Sequence, residues 1–311
     1  MLKTRSVLLA EIESTYNVDP SPSNSTNAIL VENLSHSFAG ARMADRSKSI
    51  KPYMAPLKNL FAGSLMEVTF DVEIKGSGAA GTAPELGPLL QACGFEETVV
   101  ASTSVTYTPT SDPTEHKSLT FYVYEDGLLY KITGARGTFT LDLSVAQVGK
   151  FSFKFTGHFT GPTDSAIVVP TYNSTVPPVV IGAAFAVDSY SAVITKLTVD
   201  PGLELATPDN IAATDGYGEI RLTGMSPTFT VDPEATLVAA YDWVTKWKSS
   251  ASYALASGTI GSTAGNRYAV TAPAAVYSEV SSGDRSNIIT REIKGQLVDT
   301  TGDNWISIAF T

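Results

Sequence analysis

GLLYKITGARGTFTLDLSVAQVGKFSFKFTG, residues Gly127 to Gly157, decides how the chain must be read. Phe151, Phe153 and Phe155 alternate with Ser152, Lys154 and Thr156, so one face is apolar and the other polar. Period-two alternation marks a half-buried β-strand. The stretch also returns: Gly265 to Gly295 reads GNRYAVTAPAAVYSEVSSGDRSNIITREIKG. At an offset of 138 residues, Gly127, Tyr130, Thr133, Ser144 and Gly157 meet Gly265, Tyr268, Thr271, Ser282 and Gly295. Ile132 becomes Val270, Phe139 becomes Tyr277, Phe151 becomes Ile289 and Phe155 becomes Ile293, so the apolar register is kept. A repeat of this kind fixes the architecture. The expectation is two tandem domains, 1–165 with an N-terminal arm and 166–311, related by internal duplication.

The 311 residues suffice for two domains of about 150 residues each. A 43% hydrophobic, 17% charged composition is globular, and no apolar run reaches the roughly 18 residues of a membrane span. The apolar run near the N-terminus, Val7–Ala10, is too short for a signal-peptide core, which predicts a protein that stays in the cytosol where it is made. The single cysteine, Cys93, fits a reducing compartment. A net charge of −10 argues against gripping nucleic acid through its phosphates, but not against a surface past which nucleic acid slides.

Outward from the deciding stretch, strand follows strand: VTYTPT, LTFYVY, LLYKIT, GTFTLDL and KFSFKFTGHF, with Glu125-Asp126-Gly127 as a tight hairpin turn. Glu67–Gly76 alternates most cleanly: Val68, Phe70, Val72 and Ile74 face one way, Thr69, Asp71, Glu73 and Lys75 the other. Residues 160–180 carry four prolines and read as a connector between halves. The second half resumes with AAFAVDS, AVITKLTV, LELAT and GEIRLTG. Asp232-Pro233 then predicts the start of a helix over ATLVAAYDWVTKWKSS, with Asp232 as N-cap. A shorter helix is expected near Pro84, closed by Gly94.

Little here asks for catalysis. Gly76-Ser-Gly78-Ala-Ala-Gly81 after a strand resembles a dinucleotide fingerprint. A Rossmann first strand is buried on both faces, however, whereas this one alternates with Asp71, Glu73 and Lys75. Pro84 also delays the helix, and no βαβ alternation follows. His36, His116 and His158 are not spaced as metal ligands, and no HExxH, GxSxG or P-loop occurs. No enzyme activity, cofactor or metal is expected. A carbohydrate-binding or adhesin β-sandwich is the alternative that the 13 tyrosines, 13 phenylalanines and 3 tryptophans leave open.

PELGPLLQACGF (84–95), VTYTPTSD (105–112), DGLLYKITGARGTFTLDL (126–143) and KFSFKFTG (150–157) resemble the tail tube proteins of long-tailed, siphovirus-like bacteriophages. So do EIESTYNVDPSP at the N-terminus and GDNWISIAF at the C-terminus. The resemblance spans nearly the whole chain and implies a mainly β fold: tandem β-sandwich domains, each with a flanking helix, whose sheets contribute to the inner β-barrel of a ring. It further implies a structural virion protein, made in the host cytoplasm and located in the tail. Its rings would stack into the tube through which DNA is ejected. Implied partners are other copies of itself, the tape measure protein, the tail terminator and the distal tail or baseplate proteins, with DNA passing unbound and no membrane.

Two domains per chain make three chains, a pseudo-hexamer, sufficient for a ring; hexameric rings are the alternative. Glu67, Asp71 and Glu73, on one polar strand face, are the expected lumen-facing acids. Arg42, Arg46, Lys48 and Lys51, in the basic stretch 40–60, are the expected ring-to-ring arm. The connector 160–180 is a second expected contact by its length.

Overall fold

A computed structural model of the chain describes residues 2 and 4–311. The first half contains β1 (Ser6–Ile12), β2 (Ala28–Ile29), β3 (Glu32–Ala44), β4 (Leu60–Glu73), α1 (Gly87–Gln91), β5 (Phe95–Val100), β6 (Ser104–Pro109), β7 (Leu119–Glu125), β8 (Leu128–Ser144), β9 (Lys150–Phe159) and β10 (Thr163–Asp164). The second contains β11 (Ala186–Val187), β12 (Tyr190–Ser191), β13 (Lys196–Asp200), β14 (Leu203–Ala206), β15 (Arg221–Met225), β16 (Thr228–Val231), α2 (Trp243–Ser249), β17 (Tyr253–Ala256), β18 (Tyr268–Arg285), β19 (Ile288–Leu297) and β20 (Ser307–Phe310). Strands take 48% of the chain and helices 4%, which makes the fold mainly β.

Eight strands form one continuous antiparallel sheet in the order β3-β4-β9-β8-β13-β16-β19-β18. The order β3-β4-β9-β8 in the first half corresponds, strand for strand, to β13-β16-β19-β18 in the second. In each half a helix follows the second of these strands, and the long fourth, β8 or β18, then hairpins into the third, β9 or β19. The bounds of β9 and β19 differ by the 138 residues of the sequence offset. Their hairpins differ in register: Phe155 opposes Gly137, whereas Ile293 opposes Val280, five residues beyond the counterpart of Gly137.

The strands β8 and β18 are long because each serves two layers. Residues 128–135 of β8 pair with β7, and residues 268–275 of β18 pair with β17 and β20, in the opposite layer of a sandwich. What looked like two strands, LLYKIT and GTFTLDL, is therefore one, broken only by a bulge between Thr133 and Arg136. The bulge lets a strand turn from one sheet to the other. In the opposite layer, β1 pairs with β7, while β20, the last strand of the chain, joins β6 to β18 across the two halves.

The core lies between the layers. Phe70 and Phe155 of the eight-stranded sheet meet Phe121 of β7, with Phe121 and Phe155 centroids 4.9 Å apart, and Phe153 packs on Phe70 and Phe155, with Phe151 against Phe153. Leu89 and Leu90 of α1 are fully buried in the same core. In the second half Leu197, Val199, Phe229 and Ile293 pack with Leu255, Val270 and Ile306.

Glycines permit the tightest approaches. A Cβ on Gly76 would collide with the carbonyl oxygen of Gly265, and Gly78 N–H donates to that same oxygen at 3.0 Å. The phosphate-like GxGxxG thus serves to bring two backbones, one from each half, into contact. Gly157 and Gly295, paired by the repeat, each lie against the neighbouring strand, where a Cβ would strike Ile132 or Phe229.

Two expectations are corrected. The long helix from Asp232 does not form; α2 covers Trp243–Ser249 and is capped by Asp242, whose carboxylate accepts from Val244 N and Thr245 N. Residues 233–235 instead hydrogen-bond as extended backbone to Val193, Ile289 and Arg291, and Asp232 accepts from the Thr195 and Lys196 amides. Backbone pairing here outweighs local propensity. Lys75, expected on the polar strand face, lies beyond the end of β4 and turns inward to pair with Glu85 at 3.0 Å. The short first-half helix is present, with Pro88 rather than Pro84 in its first turn and Gly94 at φ +77° beyond its end.

Burial gives several tyrosines a measurable signature. It pushes Tyr16 and Tyr241 up to about 12 and also raises Tyr107, Tyr268 and Tyr277. A raised tyrosine contributes stability that is fully present below the unfolded value near 10 and lost as pH climbs through the folded value. An ultraviolet titration is therefore expected to show exposed tyrosines such as Tyr53, 76% exposed, ionising near pH 10. The five buried rings should ionise later, together with loss of the fold. Uniform ionisation of every tyrosine near pH 10 with the fold intact would contradict this packing.

Candidate functional site

Alternation gives the eight-stranded sheet an apolar side against the core and a polar side open to solvent. On β4, Val68, Phe70 and Val72 are buried while Glu67, Thr69, Asp71 and Glu73 are half-buried on the other face. The registers carry this polar side across both halves. It continues through Ser152 and Lys154 on β9, Thr140 and Asp142 on β8, Thr198 on β13, Thr230 on β16, Lys294 on β19 and Glu279 on β18.

Charges on this side are paired across strands, three pairs between neighbours and one, Lys150 with Glu32, across β4. Lys154 Nζ lies 2.9 Å from Glu67, Lys150 2.5 Å from Glu32, Lys196 2.6 Å from Asp142 and Lys294 3.1 Å from Glu279. The hydrogen bond to Glu32 raises the Lys150 ammonium above its ordinary value. Exposed pairs of this kind contribute about 0–1 kcal/mol each, so their effect is chiefly on the field over the face. Asp71, which accepts from Asn33 at 2.7 Å, and Asp200 and Glu292 have no lysine opposite them, and Glu73 opposes Lys150, whose ammonium is already paired with Glu32. Carboxylates therefore outnumber ammonium groups across the sheet. The three acids expected from the sequence, Glu67, Asp71 and Glu73, lie together on this face; Glu67 is ion-paired with Lys154, and Glu73 faces Lys150 across the strand pair.

The sheet has two open edges. Among the described residues β3 pairs only with β4, and residues 276–285 of β18 pair only with β19. The halves themselves are joined by β8 and β13, where Leu141, Asp142, Leu143 and Ser144 oppose Val199, Thr198, Leu197 and Lys196. In the repeated order this is the contact of a β18-type edge with a β3-type edge, made within one chain.

The β3–β4 hairpin overruns the sheet. Leu65 opposes His158, β9 ends at Phe159, and β3 and β4 continue to Ala44 and Leu60 around the loop 45–59. Arg46 and Lys48 are exposed on that loop and Lys51 is half-buried, beside Ile50, Tyr53 and Met54, which are exposed. Arg42 behaves differently. Its guanidinium stacks 3.9 Å over the Tyr217 ring and pairs with Asp209 at 2.5 Å, and the Asp209 hydrogen bond raises it further.

Residues 201–227, between β13 and β16, fold back as the β14–β15 pair and brace the hairpin base. Tyr217 Oη donates to the Gly40 carbonyl, and His158 Nδ1 meets the Asp215 carboxylate at 2.7 Å. Tyr16 Oη lies 3.0 Å from His158 Nε2 and accepts from Ile220 N–H at 2.8 Å. Arg136, 7% exposed, donates to Glu219 at 2.9 Å, to the His116 and Lys117 carbonyls and to the Ile220 carbonyl. Sequence spacing held no sign of this brace, whose members come from five separate stretches. Among the described residues no group of three or more His, Cys, Asp or Glu is placed to hold a metal ion, and no helix is long and apolar enough to cross a membrane.

The family model described as phage tail tube protein matches residues 3–303, almost the whole chain. The chain belongs to the phage tail tube protein family. No curated protein matches it. Tail tube proteins are structural components of the virion tail and not enzymes, and self-assembly into a tube is what the family implies. In such a protein an extended polar sheet face, open edges and a projecting hairpin are the features to account for.

Proposed function

We propose that three copies of this chain form one ring of a phage tail tube, and that stacked rings make the conduit for DNA ejection. The observation that carries this reading is the β8–β13 junction. It joins two four-stranded units of the same strand order edge to edge, leaving β3 and β18 as the same kind of edge at either end. Repeating the junction between chains, β18 of one copy against β3 of the next, closes the sheet and removes its edges, which otherwise invite uncontrolled pairing.

The repeated order supports two duplicated domains, 1–165 and 166–311, and hence pseudo-sixfold symmetry from three chains. Three copies of the eight-stranded sheet give about 24 strands. At about 4.8 Å between strands and a tilt near 40°, that is a barrel on the order of 48 Å across its backbone. Six copies would double this width, well beyond what duplex DNA needs, so the trimer is favoured over the hexamer.

With the apolar side committed to the core, the polar side lines the bore. Glu67, Asp71 and Glu73 face the lumen there, and a net negative, lysine-paired wall repels phosphates enough for DNA to pass without binding. The loop 45–59, with Arg46, Lys48 and Lys51, reaches the next ring, while Arg42 holds the hairpin base. The tape measure protein would occupy the bore before DNA does, and the terminator and distal tail proteins would meet the two end rings. The assembly would follow synthesis in the host cytoplasm, as in a long, siphovirus-like tail. Electron microscopy of the purified protein is expected to show hollow tubes whose bore in end-on averages is about 10 Å narrower than this backbone width, the space taken by inward side chains. Solid fibres, or monomers at every concentration up to the solubility limit, would overturn the reading.

A further inference from the structure

The end of the sheet opposite the hairpin tip carries an apolar strip. Val145, Val179, Ile181, Val193, Leu237 and Ile289 are all exposed, Leu237 at 82% and Ile181 at 62%. Backbone hydrogen bonds make the strip continuous: Val145 N–H donates to Thr195, Ala146 to Val180, Glu234 to Val193 and Ala235 to Ile289. Isolated exposed apolar side chains are ordinary, but a continuous row marks an interaction surface.

Its place in the fold identifies the occupant. β4 runs 14 residues, about 46 Å at 3.3 Å per residue. It begins at the hairpin tip and ends at Glu73, which opposes Lys150 directly after the turn holding Val145. The tip and the strip thus sit at opposite ends of the same strands, and copies stacked head to tail bring one onto the other. The tip is apolar as well: Ile50 and Met54 are fully exposed and Phe61 is 68% exposed. Its loop holds Arg46, Lys48, Lys51 and Lys58 against one acid, Asp45, in a chain of net charge −10. Near the strip, Glu73 and Asp284 make no ion pair among the described residues.

We propose that this strip is the receptor for the loop 45–59 of a second copy of the chain in the adjacent ring, an assignment that rests on the stacking reading above. Ile50 and Met54 pack on Val193, Ile181 and Leu237, and the loop lysines meet Glu73 and Asp284. Every ring then has one donor end and one receptor end, so the stack has a single polarity.

The test uses two full-length variants altered only at exposed positions. One carries Ile50→Asp and Met54→Asp, the other Ile181→Asp and Leu237→Asp. Each is checked by thermal melting, ring mass and electron microscopy beside the unaltered chain. Each variant alone should melt like the unaltered protein and stop at single rings. A one-to-one mixture should give two-ring stacks and nothing longer, because each variant keeps one intact end. Tubes of normal length from the Ile181→Asp, Leu237→Asp variant would overturn the assignment, as would a mixture that never pairs while the unaltered chain forms tubes. If the Asp pair at the strip lowered the melting temperature, Val193→Ser alone, which keeps that residue's exposed position, should shorten tubes; unchanged tube length would count against the strip. Unaltered rings that never stack would remove the stacking reading itself, and this assignment with it.

Discussion

Phe155→Ala should cost about 3–5 kcal/mol of folding stability. Phe155 is fully buried on β9, with ring centroids 4.9 Å from Phe121, 5.7 Å from Phe153 and 6.0 Å from Phe70. With Phe70, it is a side chain through which the polar-faced sheet and the layer containing β7 touch, so its removal opens a cavity between them. The space does not refill easily, because Gly137 opposite Phe155 is held by backbone close to the ring and offers no side chain to move in. Chemical denaturation should show a lower midpoint with little change in slope, the sign of lost stability without a change in surface exposed on unfolding. Phe61→Ala, at a position 68% exposed on the hairpin, should leave the monomer's midpoint nearly unchanged. A loss below 1 kcal/mol for Phe155→Ala would mean that the two layers are not packed as described.

Arg136→Ala should be comparably costly, about 3–5 kcal/mol, for a different reason. The guanidinium is buried and donates to three carbonyls and one carboxylate. Removing it leaves those acceptors in a site closed to water, and the desolvation penalty of each is then uncompensated. Arg136→Lys should recover little, since an ammonium cannot reproduce the planar fork. The loss should also be local in a way that a general loosening is not. Hydrogen exchange should quicken in 207–219 and around Gly40, because the brace loses its anchor, while the Phe70–Phe155 core exchanges as before. A stable Arg136→Ala variant with unchanged exchange in 207–219 would show that the brace is held by other contacts.

Much of this architecture was legible in the chain, and the reason is periodicity. The alternation of Val68, Phe70 and Val72 with Glu67, Asp71 and Glu73 comes from a sheet that is dry on one side and wet on the other. The Glu125-Asp126-Gly127 turn was readable because Asp126 and Gly127 take positive φ, which those residue types tolerate. What was hidden depends on contacts without a period. His158 meets Asp215 across 57 residues, Arg136 meets Glu219 and Ile220 across 83 and 84, and Tyr217 meets Gly40 across 177, and each looks like an ordinary residue in its own segment. The missing helix after Asp232 shows the opposite failure: a real capping signature was present, and Val193 and Ile289 offered its backbone better partners. The glycines at 76 and 78 were visible but their purpose was not, because Gly265, which they meet, lies almost two hundred residues away.

The central claim is that β18 of one chain lies against β3 of the next and that three such junctions close the ring. Cysteine cross-linking tests it most directly. Ser281 and Ser35 or Ser37 lie on the polar side of the two open edges, while the native Cys93 is buried, and burial holds its thiol well above the ordinary value. Assembled protein carrying Ser281→Cys with Ser35→Cys or Ser37→Cys, oxidised and run under denaturing, non-reducing conditions, should give covalent dimers and then a product that stops at three chains. A product that stops at six chains, or no cross-link from either pairing in well-formed tubes, would contradict it.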